Sequence, residues 1–250
     1  MKTSLLLFAL FPAMGCSADL GNPAIPDAAL PPWTNQDAGA DAGHASTFAL
    51  ADGGTIAADR FATRVVSFAP GDCAGFGLAS LPDIVLGPPE GAGDAQGSTD
   101  VVSLGHLGTI ELSFEQNPIV DDSGPDFVVF ENAFFVGANP NRVYGEPGEV
   151  SVSDDGVVWK TFPCSAPAAP FDATCAGIRP VYSSRKSGVS PVDYPACGGD
   201  AFDLAAVSMS RARFVRIRDI GSQACSADPK LRTTTNGFDL DAVASLHAEH

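Results

Sequence analysis

The sequence predicts an all-β sandwich with long irregular loops, and three observations carry that reading. Glycine and proline are dense, 26 and 20 in 250 residues, which favours many short strands over long helices. Short runs alternate with period two, as in Ile110, Leu112 and Phe114 against Thr109, Glu111 and Ser113. Asp155-Gly156 stands between two β-rich runs, where a tight hairpin turn needs positive φ.

Residues 1–15 read as an export signal: Lys2, an apolar stretch from Leu5 to Phe11, then Pro12-Ala13-Met14-Gly15 before Cys16. The apolar stretch is too short to cross a bilayer. Gly15-Cys16 resembles the end of a bacterial lipobox, in which Cys16 is lipidated. Ser17 behind it resembles the pattern of lipoproteins forwarded to the outer membrane. The competing reading is an ordinary secretory signal and a soluble exported protein. Residues 16–46, rich in Ala, Pro, Asp and Gly, bury too little apolar surface to offset their ordering entropy. They read as a disordered tether reaching about 30 Å, with Trp33 incidental to it. The folded domain is expected over 47–250.

Within that domain the first strand is expected at 63–68. The Gly-rich stretch that follows reads as a loop, because neither its spacing nor a following helix fits a dinucleotide site. Strands follow at 101–104 and 109–114. Phe127-Val128-Val129-Phe130, introduced by the turn signal Ser123-Gly124-Pro125, reads as a central strand buried on both faces. Residues 149–153 and 157–160 form the predicted hairpin, and 163–200 is irregular. A turn of helix at 202–207 precedes a strand over 211–219, and the last strand runs over 237–246.

The formal net charge of -16 repels phosphate backbones, which argues against nucleic acid and for cations as company. The four histidines, His44, His106, His247 and His250, form no His-Glu-x-x-His, and neither Gly-x-Ser-x-Gly nor a phosphate-loop motif occurs. The chain therefore reads as a non-enzyme; Asp239 with Glu131 as a glycosidase pair is the weaker reading. If Cys16 is lipidated, five cysteines remain. Cys164 and Cys175 bracket one loop and read as a disulfide, Cys197 with Cys225 as a second, and Cys73 is left over. The short Cys-x-x-Cys spacings of a zinc site are absent.

Val152-Ser153-Asp154-Asp155-Gly156-Val157-Val158-Trp159, followed by Ala212-Arg213-Phe214-Val215-Arg216-Ile217, resembles the hairpin and late strand of discoidin-type (coagulation factor 5/8 C-type) domains. Those are galactose-binding-like β-sandwiches. Four further stretches together resemble a family of exported bacterial cell-surface proteins and lipoproteins. They are Ser103-Leu104-Gly105, the run from Gly124 to Phe134, the run from Gly198 to Leu204, and the run from Gly237 to Val243. The resemblance covers about residues 86–246. It implies a galactose-binding-like jelly-roll β-sandwich at the cell surface, and no reaction.

Asp239 and Asp241 are two apart on the predicted last strand, so both face one side, with Phe238, Leu240 and Ala242 on the other. Like charges so placed call for water or a cation between them, and clustered hard oxygens are what Ca²⁺ uses. The resemblance implies the same, since many galactose-binding-like domains hold a structural calcium partly through an acid of the last strand. The expected ligands are Glu131, Asn132, Asp239 and Asp241, with Asp126, Asp203 and Asp200 in reserve; capping the turn of helix is the alternative role for Asp200. The competing reading leaves these carboxylates solvated or paired with Arg213, Arg216 or Arg218. Arg211, Arg213, Arg216 and Arg218 themselves read as partners of carboxylates rather than as an anion site. Tyr144, Tyr182, Tyr194 and Phe76 fall in loops, where aromatics can stack on sugar rings. The functional expectation is an exported, membrane-tethered surface binding or adhesion module, Ca²⁺-stabilised, with glycan as the ligand class that fold analogy implies. The alternative is a structural or assembly protein of the cell envelope that binds another protein.

Overall fold

Phe127–Phe130 forms a strand with all four residues buried, because its aromatic and β-branched side chains fill both faces it presents. Phe127 and Val129 enter the larger hydrophobic core, while Val128 and Phe130 enter a second core on the opposite face. The strand is the middle of a three-stranded antiparallel sheet, between Asp200–Phe202 and Ala242–Ser245. This computed structural model describes residues 33–34, 47–165 and 174–249. The signal segment, Cys16 and the tether apart from 33–34 lie outside the described residues.

The larger core is shared with a six-stranded antiparallel sheet. Its strands are ordered Trp33–Thr34, Arg64–Ala69, Thr109–Ser113, Phe214–Asp219, Gly148–Ser153 and Lys160–Thr161. Registers Leu112 with Val215, Ile110 with Ile217, and Val150 with Ile217 set like side chains beside one another in that core. Among the intervening positions are pairs of opposite charge. Arg216 lies opposite Glu111 and pairs with it at 2.7 Å, and Arg218 lies opposite Glu149 and pairs at 3.2 Å. Arg211 and Arg213 both reach Asp154, so all four arginines are engaged by carboxylates, as expected. The protein is thus all-β and sandwich-like, and its only helical pieces among the described residues are short 3-10 turns. No helix there is long and apolar enough to cross a membrane.

Several expectations change. Trp33 and Thr34, read as tether, form an edge strand against Phe68 and Ser67. The hairpin at Asp155-Gly156 exists, but its second strand is Lys160–Thr161, so the connection spans 154–159 rather than two residues. Side chains stabilise that wider loop: Asp155 Oδ1 accepts the N–H groups of Val157 and Val158 at 2.8 Å each, and Ser153 Oγ donates to the Val158 carbonyl. The 211–219 strand is interrupted at Arg213. Arg211–Ala212 pairs with Ile119–Val120 before Phe214–Asp219 joins the large sheet.

Cys164 and Cys175 are bonded as expected, but Cys225 is bonded to Cys73, not to Cys197. Asp72 explains the partner choice, since it accepts the Cys225 N–H and pairs with Arg232, drawing the two loops together. Cys197 packs instead into the second core, where burial pushes its thiol up to about 12.

Candidate metal centre

The central strand ends at Phe130, and the next residue, Glu131, is still inside the protein with 1% of its surface exposed. Asp239 opens the Asp239–Leu240 strand, which pairs with Val102–Ser103. Glu146 lies in Gly145-Glu146-Pro147, directly before the Gly148–Ser153 strand of the large sheet. Three segments distant in sequence therefore end at one point. Glu131, Glu146 and Asp239 each present a carboxylate oxygen there, all within 4.8 Å of one another. Two oxygens of one Ca²⁺ shell, each about 2.4 Å from the ion, span such a distance.

The Asp239 carboxylate is positioned by its neighbours. One oxygen accepts the Ser103 hydroxyl, and the other accepts Asn132 Nδ2 at 3.1 Å. The same Asn132 amide nitrogen donates to the Ser98 carbonyl at 3.2 Å, so Asn132 orients Asp239 from a fixed position. Glu131 is different. Both of its oxygens are buried, and neither accepts a hydrogen bond of good geometry from any described group. Only the Ala133 N–H, facing it, weakly offsets the cost of burial. A buried carboxylate in that state takes up either a proton or a cation.

The charges respond accordingly. Burial, then the charges of Asp239 and Glu146, hold Glu131 well above the usual carboxylate range. Burial, then Asp239 and Asp219, push Glu146 up to about 9, with the Gly237 N–H opposing. Burial raises Asp239 to about 7 against its bonds from Ser103 and Asn132. Oxygen donors alone, with neither nitrogen nor sulfur, suit a hard divalent cation.

No protein-family model matches the chain, and no curated protein matches it. The geometry of the site is therefore the ground for function.

Of the expected ligands, the fold gathers Glu131, Asn132 and Asp239 and disperses the others. Asp241 does not share a face with Asp239. At Asp241 the chain leaves the Val102–Ser103 strand to pair with the central one, and the alternation slips: Phe238 and Leu240 enter the larger core, Ala242 and Ala244 the second. Asp241 accepts the Glu90 N–H on both oxygens at 3.1 Å, away from the cluster. Asp126 precedes the central strand whereas Glu131 follows it, which places them about 16 Å apart. Asp126, Asp121 and Asp203 form a second acidic group, but its buried member is satisfied by the N–H groups of Asp122 and Leu204 and by His247 Nδ1. Asp203 caps the Leu204–Val207 turn through the Ala205 N–H at 2.8 Å. That role was expected of Asp200, which is buried instead against the Ile178 N–H and Arg179. Glu146 was not expected. Its one signal in the sequence is an acid held in a Gly-Glu-Pro-Gly turn just before a buried strand.

The raised acids fix a pH dependence. Glu131, Glu146, Asp239 and also Asp200 and Asp241 keep protons in the folded chain that the unfolded chain has released. Where the folded state binds more protons, stability falls as pH rises. In EDTA the melting temperature is expected to be highest near about pH 5 and to fall through pH 7 toward about pH 9. A thermal scan series that stays flat or climbs over that window contradicts the protonated cluster.

Proposed function

We propose that this protein is an exported, surface-tethered binding module on a galactose-binding-like jelly-roll sandwich, held in its binding form by Ca²⁺ and acting on glycan rather than catalysing a reaction. The observation that carries the proposal is Glu131: a fully buried carboxylate with two unpartnered oxygens, turned toward two further carboxylates. One Ca²⁺ can be ligated by all three acids at once and would hold their three segments at one point. The ligands would be Glu131, Glu146 and Asp239, with Asn132 orienting Asp239. Two disulfides fit an oxidising compartment, in keeping with export.

Glycan is supported by Tyr144, which is about half exposed and stacks on Phe134 at 5.0 Å and 19°. Its hydroxyl is raised to about 12, first by the charge of Glu146, so the ring stands beside the acidic cluster. A fixed aromatic face suits the apolar side of a sugar ring.

The test is thermal unfolding of the chain in EDTA and in excess Ca²⁺, followed by a glycan array in both conditions. A Ca²⁺-dependent rise, with glycan binding that Tyr144→Ala loses, is the expected outcome. No rise removes the cation. An empty array, with one envelope protein retained from solubilised membranes, replaces glycan with a protein partner.

A further inference from the structure

Glu131 and Glu146 are the two feet of a single excursion of the chain. Between them runs a ribbon in which Phe134–Phe135 pairs antiparallel with Val143–Tyr144. Its tip crosses Gly137 and Ala138, both at positive φ, and carries the exposed Arg142. No residue of 134–145 is fully buried, so the ribbon has no core of its own. A two-stranded ribbon of this length is marginal by itself in water. Its rings stack on each other, Phe134 on Tyr144, and the Phe135 N–H reaches the Asp94 carbonyl at 2.8 Å. At its base the two feet meet Asp239.

Asp239, by contrast, belongs to the body of the protein. It sits on a strand paired with Val102–Ser103 and is fastened by the Ser103 hydroxyl and the Asn132 amide. The cluster thus joins Asp239 to the two points where the ribbon leaves the central strand and rejoins the large sheet. A cation there acts on the ribbon more than on the sheets.

From this arrangement we infer that the cation is the lock of the 134–145 ribbon. Bound, it ties both feet to Asp239 and holds the Phe134 and Tyr144 rings in place. Released, it leaves no ion tying the two feet to Asp239, and the ribbon opens as a unit while both sheets persist. The inference rests on the cation reading above and adds what the cation regulates: presentation of the aromatic ribbon, and with it binding by that surface.

Trypsin provides the test, because Arg142 is exposed at the tip and is followed by Val143. The full chain is digested in excess Ca²⁺ and in EDTA, with a small peptide substrate in each buffer to correct for the protease's own Ca²⁺ dependence. Products are read after reduction, since the Cys73–Cys225 bond otherwise holds the two pieces together. Cleavage in the open state follows its population. At a Ca²⁺ concentration about 100 times Kd, the Arg142–Val143 cut is expected to slow by about a hundredfold relative to EDTA. Cuts within the large sheet need global unfolding and are slower in both buffers, so in EDTA the Arg142–Val143 cut is expected first while both sheets are still intact. The Glu146→Gln chain is expected to be cut at one rate in both buffers; should it fail to fold, the comparison on the unaltered chain stands alone. Equal cleavage with a Ca²⁺-raised melting temperature overturns the lock and leaves the cation site standing. Equal cleavage with no change in melting temperature removes the cation site and the lock together.

Discussion

Glu131→Gln is expected to abolish the Ca²⁺ response while leaving the metal-free chain about as stable as before. In the unaltered chain, Ca²⁺ at about 100 times Kd adds about 2.7 kcal/mol, which for a protein of this size raises the melting temperature by roughly 5–10 °C. Glutamine has the shape of the protonated acid but carries no charge for a cation. It therefore removes one of three charged ligands and the buried group that most needs a partner. In EDTA the same change replaces one neutral buried group by another, and the expected difference is within about 1 kcal/mol. Calorimetric scans of both chains, with and without Ca²⁺, decide the matter. If the variant keeps the full rise, the ion sits elsewhere, and Asp121, Asp126 and Asp203 become the group to examine.

Asp126→Ala is expected to behave in the opposite way, with a large loss of stability that Ca²⁺ does not alter. Its carboxylate is fully buried and accepts the Leu204 N–H at 2.7 Å, the Asp122 N–H at 3.0 Å and His247 Nδ1 at 2.9 Å. It thereby fastens the start of the central strand to a helical turn and to the last residues of the chain. Alanine leaves several of these donors buried and unpaired, a loss of about 3–5 kcal/mol. Urea unfolding should show a lower midpoint at unchanged slope, by an equal amount in Ca²⁺ and in EDTA. A loss clearly larger in Ca²⁺ than in EDTA would move Asp126 into the metal site.

These two acids, five positions apart in one sequence run, show how far the sequence could be read. The strand between them was legible because four apolar residues with no polar alternate have one stable place, a strand covered on both faces. That each end bears an acid was legible too. Their different fates were not, because they depend on partners far away in the chain: Leu204 and His247 for Asp126, Glu146 and Asp239 for Glu131. The same limit separates the cysteines. Cys164 and Cys175 are 11 residues apart and were paired on that ground, whereas Cys73 and Cys225 are 152 apart, and only the fold brings their loops together. For Asp239 and Asp241, strict alternation failed because the strand changes partners at Asp241. A pattern along one segment carries no sign of a change in its neighbours.

The neighbours of the central strand also set an order of events during synthesis. Residues 127–130 are made near the middle of the chain, but the strands that flank them, Asp200–Phe202 and Ala242–Ser245, come late. Until the last of these has emerged, a nascent chain carries Phe127-Val128-Val129-Phe130 with at least one edge open and two apolar faces uncovered. Such a segment is prone to pair with another chain, and its native contacts wait on the closure of a loop more than a hundred residues long. Completion of the fold therefore waits on residues 242–245, and a ribosome-stalled product lacking them is a substrate for chaperones rather than a smaller version of the domain.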